Sequence, residues 1–228
     1  MQTLEIALLL VLLLFPLVDL VLERYQFSTK SAEYIKTVFM LWAVTGFLLY
    51  CFFNGALSVE PPLYFPVAAW KVYLSIFMFI TFFAYMSYVI FSINKNEQLR
   101  LHVIEALEKN GDSMDGILPT SRRELLLFTL LVSVSAGICE ELIFRWYLYH
   151  TIEMQTDWMM AVFASSSLFG LWHLYLGWTH VLKTAFVGVL LCGIYLYFDS
   201  ILVAMVAHIL MDVYSGTIAF YARREREL

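Results

Sequence analysis

Seven stretches of apolar residues run through the chain, at about 4–22, 37–53, 71–93, 125–149, 158–177, 180–198 and 200–221. Each is close to the roughly 20 residues that an α-helix needs to cross a hydrocarbon layer. The pattern predicts an all-α, polytopic membrane protein with about seven transmembrane helices. Very short links join the last three segments, which requires tight antiparallel hairpins. No internal repeat is visible. The first run carries Glu5 and no basic leader, and Asp19 stands where a cleavage site would need small residues. It is therefore expected to stay as a span and not to be removed as a signal peptide.

One polar stretch interrupts the pattern, from Asn94 to Glu124. Leu99, Leu101, Val103, Ile104 and Leu107 fall on one helical stripe, which predicts a short amphipathic helix at the membrane surface. The Asn110-Gly111-Asp112 run is expected to end that helix by turn chemistry. Ser121 and Glu124 then have the spacing of a capping box that opens the next helix. The chain divides accordingly into N-terminal transmembrane helices (1–93), a cytoplasmic linker with the amphipathic helix (94–124) and a transmembrane core (125–228).

Composition agrees with this pattern: 61% of residues are hydrophobic and 14% charged, whereas soluble domains carry about a quarter charged residues. The net charge of −5 says little about partners, but no stretch is basic and aromatic-interleaved, so no nucleic-acid partner is expected. Cys51, Cys139 and Cys192 are scattered within spans and read as small buried hydrophobes. Lysines and arginines set the orientation. Arg24, Lys30, Lys36, Lys95, Arg100, Lys109, Arg122, Arg123, Lys183, Arg223, Arg224 and Arg226 fall on one side, against Lys71 alone on the other. This bias puts the N-terminus outside and the C-terminus in the cytoplasm, in what is read as a prokaryotic cell membrane.

Ionisable residues inside spans mark functional sites by default. Three clusters stand out: Glu140, Glu141 and Arg145; His173, with Phe169 one turn before it; and His208 with Asp212. Residues four apart share a helix face, so Glu141 can pair with Arg145, and His208 with Asp212. Glu140 points about 100° away from Glu141 and is left to meet other helices. The small residues Ser133, Ser135, Ala136 and Gly137 would let a neighbouring helix approach closely. A carboxylate and a histidine sharing one water, with a second histidine at an oxyanion, are the parts of a peptide-bond hydrolase. Other readings of the same residues are helix-locking pairs, a metal site of Glu140, His173 and His208, a nucleophilic Cys139, and a proton relay through Glu140. Asp19, His150 and His180, at segment ends, are assigned interface roles. By rise per residue, Glu140 falls beyond mid-membrane towards the outside and His173 nearer the cytoplasm.

The order Glu-Glu-x-x-x-Arg (Glu140, Glu141, Arg145), Phe-x-x-x-His (Phe169, His173) and His-x-x-x-Asp (His208, Asp212) resembles the CPBP family over about residues 120–221. That family, also called ABI, comprises CAAX proteases and bacteriocin-processing enzymes and includes the Rce1-type prenyl proteases. The resemblance implies a glutamate-type intramembrane endopeptidase with no cofactor and no obligatory metal. It acts near the lipid or transmembrane anchor of a membrane-bound protein or peptide, with membrane lipid as its surroundings. A non-catalytic membrane partner or immunity protein of the same fold is the alternative. By motif, Glu140 would activate water with His173, Glu141 and Arg145 would orient the site, and His208 and Asp212 would sit at the oxyanion. Phe169 would pack over His173 or line the substrate site. The Rce1 type is similar but has asparagine where this chain has Asp212, and an ionised aspartate donates no hydrogen bond.

Overall fold

The computed structural model describes residues 3–25, 27–109 and 116–224. Its helices are α1 (Thr3–Leu22), α2 (Lys30–Phe53), α3 (Ala69–Lys95), α4 (Glu97–Glu108), α5 (Arg122–Glu153), α6 (Trp158–Leu171), α7 (Trp178–Phe198) and α8 (Ile201–Arg223). A single 3₁₀ turn, Leu174–Leu176, joins α6 to α7. Six of the helices, all but α4 and α6, are long and apolar enough to cross a membrane. The protein is an integral, multi-pass membrane protein.

The expected span at 158–177 is the exception. Its helix holds 14 residues, about 21 Å at 1.5 Å per residue, short of the roughly 30 Å hydrocarbon thickness. The chain leaves the helix at Leu171, turns through the 3₁₀ segment, and reverses at Gly177, where φ is +92°. A residue with a Cβ rarely adopts that conformation. His173 therefore sits at a helix end inside the protein.

Half of the apolar window of α5 and 44% of that of α8 are buried, against 11% for α3. The packed centre is thus α5 with α8, and the outer faces meet lipid. α5 contacts α2, α6 and α8; α6 packs on α7; α3 packs on α8 and α4. The run of small residues on α5 sets its approach to α8. A Cβ on Gly137 would lie 3.1 Å from both the Met205 carbonyl oxygen and the Ile209 backbone nitrogen, and would run into the Ile209 side chain. Backbone cannot move aside as a side chain can, so Gly137→Leu should cost about 1–3 kcal/mol or more. Thermal unfolding of the purified variant in detergent measures this; a melting temperature equal to wild type would contradict the contact.

The capping box is present: Ser121 Oγ accepts from the Glu124 backbone, and Glu124 accepts from the Ser121 backbone. α4 forms as expected, but it lies against the end of α8, with Arg100 donating to the Ala222 carbonyl at 3.1 Å. Val103, Ile104 and Leu107 are half-buried there, while Leu99 and Leu101 stay exposed. The expected turn at 110–112 lies outside the described residues. Lys30 and Tyr34 donate to the carbonyls of Leu118 and Ile117, gathering the start of α2 and the approach to α5 at this same end. At the opposite end Trp146 donates to Glu60 O, the Ile201 backbone to Leu63 O, and Lys71 pairs with Asp199 at 2.6 Å.

Candidate active site

α5 departs from regular winding twice, with π-helical turns at Phe128–Val132 and Leu142–Leu148. Such turns recur at functional sites because they re-aim side chains from a continuing helix. Glu140 and Glu141 lie between them, and Arg145 lies within the second. Glu141 is fully buried and Arg145 is 2% exposed, and their charges meet at 3.0 Å, as the spacing of four predicts. A second Arg145 nitrogen donates to Gly188 O at 3.3 Å, and the guanidinium lies 4.3 Å from the Phe169 ring centre. This cation is held by an anion, a carbonyl and an aromatic face at once, which is how a buried charge becomes tolerable.

α8 supplies the other half of the network. His208 Nδ1 lies 2.8 Å from Glu141 Oε1; a carboxylate accepts, so the nitrogen donates. Its Nε2 faces Glu140 at 3.7 Å and Asp212 at 3.8 Å. Glu141 thus joins Arg145 of its own helix to His208 of another. The His208–Asp212 pairing expected from spacing is present, though looser than the bond to Glu141.

Phe169 stands at the centre and is 1% exposed. Its ring centre is 5.3 Å from that of His173, 5.9 Å from that of His208 and 5.1 Å from that of Phe144. His173 Nδ1 lies 3.0 Å from Phe169 O. A carbonyl can only accept, so Nδ1 carries the proton and Nε2 is left as the available nitrogen. The bond also satisfies one of the carbonyls that a helix C-terminus leaves unpaired.

A cavity of about 550 Å³ brings Glu140 and His173 together. It opens at the end where α1 meets α2, and is walled by Phe15, Met40 and Trp172. Glu140 and His173 therefore face the same space, where the count along the sequence had separated them in depth. That count placed the end of the span at residue 149, but α5 runs on to Glu153. Measured from the turn between Glu153 and Trp158, the two residues are about 20 Å and about 22 Å down their helices at 1.5 Å per residue. His208 and Asp212 are not among the described residues that line the cavity; His208 reaches it only through Glu140.

Two further cavity residues escape a reading of the sequence. Asp19 of α1, assigned an interface role, lines the same space as Glu140; a carboxylate in an apolar run was the signal for it. Tyr175 of the 3₁₀ turn also lines it, and nothing in its sequence context marks it. Cys139 is fully buried, as are Cys51 and Cys192. His150, also assigned an interface role, bonds Tyr195 and Glu153 and lines a separate hollow nearer the end of α5. Among the described residues no group of three or more His, Cys, Asp or Glu side chains is disposed to hold a metal ion.

No curated protein and no solved structure matches the chain. Residues 122–214 match the family described as type II CAAX prenyl endopeptidase Rce1-like. The matched region contains Glu140, Glu141, Arg145, Phe169, His173, His208 and Asp212, and over these residues the chain is similar to the Rce1-like CAAX endopeptidases.

Proposed function

We propose that this protein is a glutamate-type intramembrane endopeptidase, and that Glu140 and His173 hold the attacking water between them in the cavity. The observation that carries this reading is the shared wall: a carboxylate and an imidazole with a free Nε2 face one space inside an apolar protein. Glu140 takes a proton from the water as its oxygen attacks the scissile carbonyl carbon. The C–N bond then breaks and the proton passes to the departing amine. His208 lies beside Glu140 on the oxyanion side, Asp212 orients it from one turn below, and the Glu141–Arg145 pair fixes it through Nδ1.

The cavity mouth lies among Lys30, Lys36 and the α1–α2 connection, and the basic residues put that end in the cytoplasm. Substrate would enter from the cytoplasmic side, with its anchor held in lipid and its peptide bond delivered downwards to Glu140. Residues 125–228 form the catalytic core, with 94–124 as a cytoplasmic linker and 1–93 as N-terminal helices, of which α1 and α2 complete the cavity wall.

The test is cleavage of anchored peptides by the purified protein in liposomes, with and without exhaustive chelation, beside His173→Ala. Hydrolysis should persist under chelation, and His173→Ala should lower kcat by about 10²–10⁴-fold, the range of a lost acid–base partner. Loss of hydrolysis on chelation would replace the water-activating pair with a metal. No cleavage of any anchored protein, judged by comparing membrane-protein C-termini in cells with and without the chain, would leave a binding protein of the same fold.

A further inference from the structure

The oxyanion is where this chain departs from the Rce1 type, because an ionised Asp212 accepts hydrogen bonds and donates none. A hydrolase cavity needs donors aimed at the oxygen that becomes negative, and His208 approaches it only from behind Glu140, outside the residues that line the cavity. Ser28 and Thr29 line the cavity beside the start of α2, where Thr29 caps the helix by accepting from the Ala32 backbone, and most of the other side-chain donors that face the cavity have partners. Trp172 spends its indole N–H on Leu12 O at 3.1 Å, and Tyr34 its hydroxyl on Ile117 O. Thr37 donates to Glu33 O at 3.1 Å, and Lys30 to Leu118 O at 2.9 Å. Lys36 is held between Glu23 and Glu33 at the mouth. His173 uses Nδ1–H on Phe169 O.

Tyr175 differs. It follows His173 by two residues in the 3₁₀ turn, lines the cavity with Glu140, and lays its ring near-parallel to the His173 ring, 24° between planes and 6.3 Å between centres. No hydrogen bond within the described residues engages its hydroxyl. A phenol titrates near pH 10, so at neutral pH it is a donor.

We propose that Tyr175 is a further catalytic residue, whose hydroxyl donates a hydrogen bond to the oxyanion formed when water adds to the scissile carbonyl; this rests on the hydrolase reading above. Water oxygen bonds to the carbonyl carbon, its proton goes to Glu140, and the carbonyl oxygen takes the electron pair and accepts from Tyr175. On collapse the C–N bond breaks, the proton passes to the amine nitrogen, and the Tyr175 hydroxyl keeps its own proton throughout. Placing donor and imidazole two residues apart on one tight turn lets a single local structure position both.

The experiment uses the full chain in detergent, a farnesylated C-terminal peptide, and its analogue with a tetrahedral phosphinate in place of the scissile amide. Wild type should bind the phosphinate at least about 100-fold more tightly than the amide. Tyr175→Phe, which keeps the ring, should lose about 10²-fold or more of the phosphinate affinity, as for one lost oxyanion donor. It should leave amide affinity, KM and melting temperature unchanged while kcat falls in parallel. Equal phosphinate binding by wild type and Tyr175→Phe overturns the proposal, as does a wild type that binds neither probe or does not prefer the phosphinate. Cleavage that Tyr175→Phe leaves intact removes Tyr175 and keeps the hydrolase; a Tyr175-dependent phosphinate preference without any cleavage keeps the oxyanion donor and removes the hydrolase.

Discussion

Glu140→Gln should abolish peptide hydrolysis, by about three orders of magnitude in kcat, while the protein folds and inserts as wild type does. The amide has the shape of the carboxylate, so packing at this 7%-exposed site is preserved, but it cannot accept a proton from water at neutral pH. General-base contributions of about 10²–10⁴-fold set the scale. The neighbouring carboxylate cannot take over. Glu141 is fully buried and already joined to Arg145 and His208, so its lone pairs face protein and not the cavity. The measurement is single-turnover cleavage of an anchored peptide in liposomes, with circular dichroism and melting temperature as the folding control. Residual hydrolysis within tenfold of wild type would remove Glu140 from the base role.

The second large effect falls on stability. Arg145→Met should destabilise the protein by about 3–5 kcal/mol, the cost of stranding one partner of a buried ion pair. Glu141 would lose its counter-charge where no water reaches it, Gly188 O would lose a donor, and the Phe169 face would lose its cation. The double variant Glu141→Gln with Arg145→Met should recover much of that loss. The glutamine removes the stranded charge, and its side-chain oxygen still accepts from His208 Nδ1. Thermal unfolding in detergent of wild type, single and double variants decides the point. A double variant no more stable than Arg145→Met alone would show that the loss comes from packing and not from the orphaned charge. Arg145→Lys should not rescue, because an ammonium cannot meet an anion, a carbonyl and a ring in three directions at once.

Features that depend on neighbours along the chain were legible before the fold. The Glu141–Arg145 pair needs only a spacing of four on a helix, and the Ser121–Glu124 capping box needs only a spacing of three. The apolar runs announced the membrane, since a long lipid-facing helix must be apolar almost throughout. The small residues before Glu140 announced a close helix approach, which α8 makes at Gly137.

Other features belong to the tertiary structure. The 158–177 run is apolar along its whole length, yet it winds as helix only to Leu171, and where it stops decides the depth of His173. Periodicity does not report a helix that ends early inside protein, because protein and lipid select the same side chains. The meeting of Glu140 with His173, and of both with Asp19 and Tyr175, joins three parts of the chain distant in sequence: α1, α5 and the turn after α6. The sequence by itself determined a helical membrane protein and the residues its site would draw on, because spacing and hydropathy are local properties. Only the tertiary structure decided which of those residues share the cavity: Glu140 and His173 line it, His208 and Asp212 stand behind it, and Phe169 is buried between them. That choice depends on how packed helices turn their faces toward one another, and no one segment carries the information.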